Sequence, residues 1–164
     1  KYIGSKPDGL SRRSGANQKS GNWIFYRLAD IKLMKAEALS QIGRYDEALL
    51  LINEIRSRAF VEPISSWPQT PQDFEDLILE ERAKELAFEG KRWFDLLRMG
   101  RRNNFSRKDK LIEYIIQSVP STQKRVLASK LRDPNGWYFP INSTEMENNP
   151  NLVQNPYYQV FVED

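Results

Sequence analysis

One stretch, EERAKELAFEGKRWFDLLR over residues 80–98, constrains the fold more than any other part of this chain. It predicts a helix, a break at Gly90 and a second short helix, because glycine ends a helix in the left-handed conformation without a steric penalty. Three glutamates recur at four-residue intervals on the first helix: Glu81, Glu85 and Glu89. Carboxylates beside large aromatic side chains need partners. We expect Arg82, Arg92 and Arg98 to be the partners of the glutamates and of Asp95.

A second glycine-centred hairpin is predicted around Gly43. Apolar spacing indicates a helix over residues 24–42 and another over residues 45–59, and on the first of these it places apolar residues on two faces. Ala38, Gly43, Tyr45 and Ala48 resemble the helix junction of tetratricopeptide repeats, in which glycine permits a tight turn and small residues let the helices pack closely. The two glycine-centred hairpins predict an all-α fold built from tetratricopeptide-like helical hairpins.

The rest of the chain divides by composition. Thr70, Pro71 and Asp73 are a strong helix start, and we expect that helix to reach Glu89 and the next to run from residue 91 until Gly100 closes it. Shorter helices are predicted over residues 110–117, 121–131 and 143–147. We therefore predict a single domain over 1–164, with a loose segment over 1–22, helical hairpin pairs over 23–100, and short helices with an irregular, loop-rich tail over 101–164.

Residue types that are absent narrow the chemistry. The chain has no histidine and no cysteine, so the commonest general base, the commonest transition-metal ligand and thiolate chemistry are all missing. There is no glycine-rich phosphate loop, no serine–histidine–acid set and no metal-spaced cluster. We therefore predict no catalytic residues, no metal site and no cofactor. No run of about 18 apolar residues exists that could span a membrane.

The glutamates at 81 and 85 allow a catalytic alternative. Carboxyl groups at positions i and i+4 of a helix lie at a separation close to that of a retaining glycosidase. Each of them, however, has an arginine or lysine within one helical turn, which would lower the pKa, whereas an acid catalyst needs a raised pKa. The pattern favours structural ion pairs.

A basic segment allows a phosphate-binding alternative. It comprises Lys91, Arg92, Arg98, Arg101, Arg102, Arg107, Lys108 and Lys110. Glu89 and Asp95 interrupt it, no groove-reading motif accompanies it, and the net charge of the chain is only +3. The pattern favours a solvated face or a protein contact, and we expect no nucleic-acid partner.

Four ordered stretches carry a family resemblance. They are YRLADI with MKAEA at residues 26–31 and 34–38, AL with INEIRSRA at 48–49 and 52–59, ERAKELAFEGKRWFDL at 81–96, and FPI with NPNL and QNP at 139–141, 149–152 and 154–156. In order and spacing they resemble the C-terminal part of the SusD-like (RagB/SusD) family, surface-exposed glycan-binding lipoproteins of Gram-negative outer membranes. Ile141–Asn142–Ser143 departs from the pattern, because the family often has a second proline there.

The resemblance implies an all-helical core and a role in capturing oligosaccharides or polysaccharides for a TonB-dependent outer-membrane transporter. It also implies surface exposure at the outer membrane, with the signal peptide and the lipid-bearing cysteine upstream of Lys1. The chain starts without an initiator methionine, as we expect of a piece of a longer polypeptide. Membrane attachment would then occur only through that upstream anchor.

Sugar rings bind by laying their apolar C–H faces on aromatic rings, so the tryptophans are the candidate glycan contacts. Trp67 and Trp23, both in or beside loops, are best placed for this role, although packing against the helices is the more common role for such residues. Trp93 and Trp137 fall inside apolar patterns and are expected in the core. Side chains of the asparagine-rich tail are expected to cap the bundle instead of binding a ligand.

These observations predict a non-catalytic glycan-capture protein. A tetratricopeptide-type protein–protein scaffold without a glycan ligand is the first alternative, supported by the two glycine hairpins and opposed by the irregular period. A glycosidase that uses Glu81 and Glu85 is the second alternative.

Overall fold

The computed structural model describes residues 25–66 and 68–159, and every regular element in these ranges is helical. The predicted all-α fold is confirmed. The chain divides into two compact units, Lys1–Glu85 and Leu86–Asp164. The predicted loose segment over 1–22 lies outside the described residues, and the single domain over 1–164 stays a prediction.

The described part of the first unit, residues 25–66 and 68–85, contains three helices: α1 (Leu28–Gln41), α2 (Tyr45–Arg58) and α3 (Pro71–Glu85). α1 and α2 form the hairpin predicted around Gly43. Ala36 and Ala48 are fully buried, so the two backbones can approach each other closely, and Phe74 of α3 is buried against the edge of Tyr45. The small residue of α1 that is fully buried is therefore Ala36, whereas Ala38, which was predicted at the helix junction, is exposed.

The caps follow the local sequence. Gly43 has a φ of +76°, and the N–H of Arg44 donates to Leu39 O at 3.0 Å, so the glycine takes the left-handed position that closes α1. At the start of α3, Thr70 Oγ1 accepts from the N–H of Asp73 at 3.1 Å and donates to the Asp73 carboxylate. The cap predicted at Thr70 is confirmed, and the Asp73 carboxylate contacts the hydroxyl group of Thr70.

One of the two apolar faces predicted for α1 is buried, and the other is buried only in part. Ala29, Leu33 and Ala36, on one face, lie in the core. On the other face Leu39 is buried, whereas Leu28 and Ile31 are exposed. Both α2 and α3 pack against α1.

Over residues 86–159, the second unit contains five helices and one turn of 3-10 helix at Pro134–Trp137. The helices are α4 (Arg92–Phe105), α5 (Lys108–Gln117), α6 (Ser121–Leu131), α7 (Ser143–Asn148) and α8 (Pro156–Gln159). Its buried apolar residues include Leu96, Met99, Leu111, Leu131 and Trp137. The boundaries predicted for α6 are confirmed.

Two helix ends differ from the sequence prediction. α3 ends at Glu85, four residues early, because Phe88 as well as Gly90 has a positive φ. Gly100 lies within α4 and does not end it: a Cβ there would approach Leu111 Cδ1 to 2.6 Å, so the glycine permits close packing of α4 and α5. The regular dihedrals of α4 stop at Arg102–Asn104.

The tail is held by side-chain amides, as predicted. The carboxamide of Gln154 donates to Ile141 O and accepts from Ile141 N, both at 2.9 Å, and Asn155 Nδ2 donates to Asn135 O at 2.9 Å. These bonds satisfy backbone groups that have no helical partner. The short helix α8 was not predicted, and Phe139 is exposed where a buried segment was predicted.

Candidate functional site

The two glutamates that suggested a glycosidase are ion-paired in the first unit. Arg56 Nη1 of α2 donates to Glu81 Oε1 at 2.7 Å, and Lys84 Nζ lies 3.2 Å from the same oxygen. Glu85 accepts from Arg27, just before α1, and from Arg58 at the end of α2. Ion pairing is confirmed for both glutamates, but the guanidinium partners found for them come from α2 and the start of α1 instead of the arginines of the 80–98 stretch.

The electrostatics of Glu85 suit an ion pair and not an acid catalyst. Burial of the carboxyl group raises its pKa, but hydrogen bonds from Arg58 and Arg27 and their positive charges outweigh that effect. The net result is a pKa below the ordinary value of this carboxyl group. A general acid of a glycosidase needs a shift in the opposite direction.

A buried ion pair that the sequence analysis missed joins α1 to α3. Arg82 Nη2 donates to Asp30 Oδ1 at 2.9 Å, and the two residues are only 3% and 1% exposed. The available signal was an aspartate flanked by the apolar residues Ala29 and Ile31 near the start of the predicted helix. Since a buried charge is costly without a partner, such an aspartate predicts a buried cation elsewhere in the chain.

The basic segment belongs to the second unit, and several of its cations already have partners there. Arg98 Nη2 donates to Asp95 Oδ1 at 3.0 Å, so the pairing predicted for Arg98 is confirmed. The Arg101 guanidinium lies over the ring of Tyr138, 5.6 Å from its centroid. Phe94, Leu97, Arg98, Arg101 and Arg102 also line a shallow surface depression of about 530 Å³. These contacts fit a solvated face.

A larger open groove runs along the surface of the first unit. Its volume is about 820 Å³, within the range of about 300–1,000 Å³ that is typical of small-molecule sites. α1 contributes Lys32, α2 contributes Leu50, Asn53, Glu54 and Ser57, and the loop after α2 contributes Phe60, Val61, Glu62 and Pro63. The groove therefore combines one aromatic ring with donors and acceptors. We call it the α2 groove.

Two side chains of α2 fix the loop that forms one wall of the α2 groove. The carboxamide of Asn53 donates to Ile64 O and accepts from Ile64 N, both at 2.9 Å. Arg56 Nε donates to Glu62 O at 2.8 Å. Because Ile64 also packs against the core, the loop is ordered in advance of any ligand.

Phe60 is the aromatic residue of the α2 groove, and its ring is 99% exposed. It has a φ of +56°, in the region that glycine favours. Sequence analysis missed it, because an apolar residue directly after an apolar helix pattern predicts core packing.

Neither predicted glycan contact can be placed. Trp67 and Trp23 lie outside the described residues. Of the two tryptophans predicted in the core, Trp137 is buried and its indole N–H donates to Leu131 O at 2.8 Å. Trp93 is half-buried.

Within residues 25–66 and 68–159, no helix has both the length and the apolar character needed to cross a membrane. The same residues hold no group of three or more acidic side chains arranged to bind a metal ion.

Comparison with known proteins decides the family. The family model described as the SusD family matches residues 5–158, which is nearly the whole chain. The chain belongs to the SusD family. The resemblance read from the four sequence stretches is thereby confirmed.

Curated relatives of this SusD-family chain include SusD-like proteins of Formosa agariphila. One is 33% identical over 144 residues, covering 84% of this chain and 25% of that protein. Another is 37% identical over 98 residues, covering 56% of this chain and 19% of that protein. The chain thus spans a quarter or less of the length of these relatives.

A solved structure agrees with this assignment. The crystal structure of a SusD superfamily protein from Bacteroides vulgatus matches with a TM-score of 0.69 and 29% sequence identity. The match covers 85% of this SusD-family chain and 28% of the crystallised chain.

Proposed function

We propose that the protein containing this chain binds oligosaccharides or polysaccharides at the surface of the outer membrane and delivers them to a TonB-dependent transporter. The observation that carries the proposal is the SusD-family match over residues 5–158. In this proposal the protein is a lipoprotein, and a lipid anchor upstream of this chain attaches it to the membrane.

The surface of the first unit supports a binding role. The α2 groove offers an exposed ring at Phe60 beside the polar side chains of Lys32 and Glu54, which is the combination that sugars require. Its wall is held in place by Asn53 and Arg56, so little ordering entropy is lost on binding. We retain Trp67 and Trp23 as proposed additional glycan contacts.

The proposed role is non-catalytic. The pairing of Glu81 with Arg56 and of Glu85 with Arg27 and Arg58 supports a structural role for both carboxylates. Incubation of the full-length protein with an oligosaccharide panel should release no product. Glu85→Gln should lower stability and alter no turnover; hydrolysis that this variant abolishes without unfolding would contradict the proposal.

Binding itself is tested by affinity electrophoresis of the full-length protein in gels that contain single polysaccharides. We expect retardation by at least one glycan and weaker retardation after Trp67→Ala or Trp23→Ala. The exposed Phe139 supplies a matched control, and Phe139→Ala should leave the retardation unchanged. Failure of every polysaccharide to retard the wild-type protein would refute the glycan-binding role.

A protein–protein scaffold is the alternative that the α1–α2 hairpin favours, because its closed glycine turn and buried small residues are those of a tetratricopeptide pair. The two functions differ in their ligand. A scaffold would capture a protein partner and no polysaccharide, whereas the proposed role requires both a glycan and co-purification with a TonB-dependent transporter.

A further inference from the structure

The end of α2 carries an unusual residue for its conformation. The N–H of Phe60 donates to Ser57 O at 3.0 Å, and that of Val61 donates to Arg56 O at 2.9 Å. This is a Schellman motif, which places Phe60 at the left-handed position with a φ of +56°. α1 ends in the same motif, but there the left-handed residue is Gly43.

A phenylalanine at this position is unfavourable for folding. The left-handed conformation is unfavourable for any residue that has a Cβ atom, whereas glycine adopts it without this loss of free energy. Packing does not offset the cost, since the Phe60 side chain is almost fully exposed. An exposed apolar ring held in a strained conformation at the edge of a groove is an outlier that points to function.

The polar side chains of the α2 groove define which ligand would fit the ring. Lys32 Nζ of α1 donates to Glu54 Oε2 of α2, so a donor and an acceptor lie side by side, where neighbouring hydroxyl groups could bond to both. Together with Glu62, the lining holds one cation and two carboxylates. This excess of negative charge disfavours anionic ligands.

We propose that the α2 groove is a binding subsite for uncharged oligosaccharides, with the ring of Phe60 stacked on the C–H face of a pyranose and the Lys32–Glu54 pair bonded to its hydroxyl groups. The inference rests on the proposed function and adds to it the position of a subsite and the charge class of the glycan.

The test uses the full-length protein and two matched variants, Phe60→Gly and Phe88→Gly. Phe88 also has a positive φ, of 66°, and a fully exposed ring, but it does not line the α2 groove. Both substitutions relieve the same backbone strain, so each should raise the thermal midpoint slightly. Only Phe60→Gly should weaken glycan binding, by about tenfold, because the apolar contact that the ring would bury against the sugar is lost.

Binding is measured by affinity electrophoresis with neutral polysaccharides (galactomannan and mixed-linkage β-glucan) and anionic ones (alginate and carrageenan). Retardation by a neutral glycan that Phe60→Gly weakens and Phe88→Gly leaves intact supports the subsite. If Phe60→Gly is retarded as strongly as the wild type, or if both variants are weakened equally, the assignment of the α2 groove as a subsite is wrong although the protein binds glycans. If only anionic glycans retard the protein, the assignment of the ligand as uncharged is wrong. No retardation of the wild type by any glycan refutes the underlying function itself.

Discussion

Replacement of Arg82 by methionine removes one partner of the buried ion pair that joins α1 to α3. The Arg82 guanidinium lies 2.9 Å from the Asp30 carboxylate, and both side chains are shielded from water. In Arg82→Met the aspartate keeps its burial and loses this cation. Methionine retains most of the length of the arginine stem, so the change is chiefly one of charge and hydrogen bonding.

The expected loss follows from the burial of the pair. Removing one member of a buried ion pair costs about 3–5 kcal/mol, because the remaining charge loses its partner in a poorly hydrated site. A natural domain is stable by about 5–15 kcal/mol, so Arg82→Met should remove about a fifth or more of its free energy of unfolding. The double variant Asp30→Leu/Arg82→Met leaves no buried charge at either position and should recover much of the loss.

Urea unfolding followed by far-UV circular dichroism measures these free energies of unfolding. Arg44→Met is the matched control: Arg44 pairs with Glu47, but the two side chains are 53% and 52% exposed, so this variant should lose far less stability. If Arg82→Met proved as stable as Arg44→Met, the assignment of Asp30–Arg82 as a buried tie would be wrong. A double variant less stable than Arg82→Met alone would also contradict the reasoning.

Three further predictions address other features. The pKa of Glu85 in the folded protein lies below its ordinary value of 4.5, so the ion pairs of Glu85 stabilise the fold fully above pH 4.5 and this stabilisation should disappear as the pH falls through the folded-state pKa. In an acid titration, the stability of Glu85→Gln should therefore depend less on pH than that of the wild type. Asn53→Leu removes both bonds to Ile64 and should speed amide hydrogen exchange in the loop while far-UV circular dichroism is preserved. Gly100→Ala should lower the free energy of unfolding by about 1–3 kcal/mol, because the added methyl group overpacks the contact with α5. Gly43→Ala has open space for a Cβ and should lower it by about 1–2 kcal/mol through the strained backbone alone. Denaturant unfolding curves measure both losses.

Local signals in the sequence predicted the local structure well. The apolar spacing that predicted α2 corresponds to a buried face made of Ala48, Leu49, Ile52 and Ile55. Thr70 caps α3, as its sequence pattern indicates. Spacing and capping are properties of neighbouring residues, so one sequence contains the information.

Partners that are distant in the chain could not be predicted in the same way. Glu85 pairs with Arg27, 58 positions away, and Asp30 with Arg82, 52 positions away. Spacing within the 80–98 stretch favoured neighbouring arginines, but the packing of α1 and α2 against α3 brings other cations closer. Tertiary packing therefore determines which charged residues pair.

The α2 groove was hidden from sequence analysis for a different reason. Phe60 and Phe88 occupy left-handed positions that a pattern search assigns to glycine or asparagine, so neither the true end of α3 nor the exposed ring could be predicted. Gly100 gave the opposite error. The sequence predicted that it ends a helix, but it lies inside α4 and permits close packing against α5.

The carboxamides of Asn53 and Gln154 each bond both the N–H and the C=O of one distant residue, Ile64 and Ile141 respectively. Hydrolytic deamidation would turn each amide into a carboxylate, which cannot donate and would place negative charge beside a carbonyl oxygen. Asparagine and glutamine are thermolabile, so this damage accumulates during warm storage. Chemical ageing of a purified sample would thus loosen the groove wall and the tail, which Arg56 and Asn155 also hold, while the helices persist.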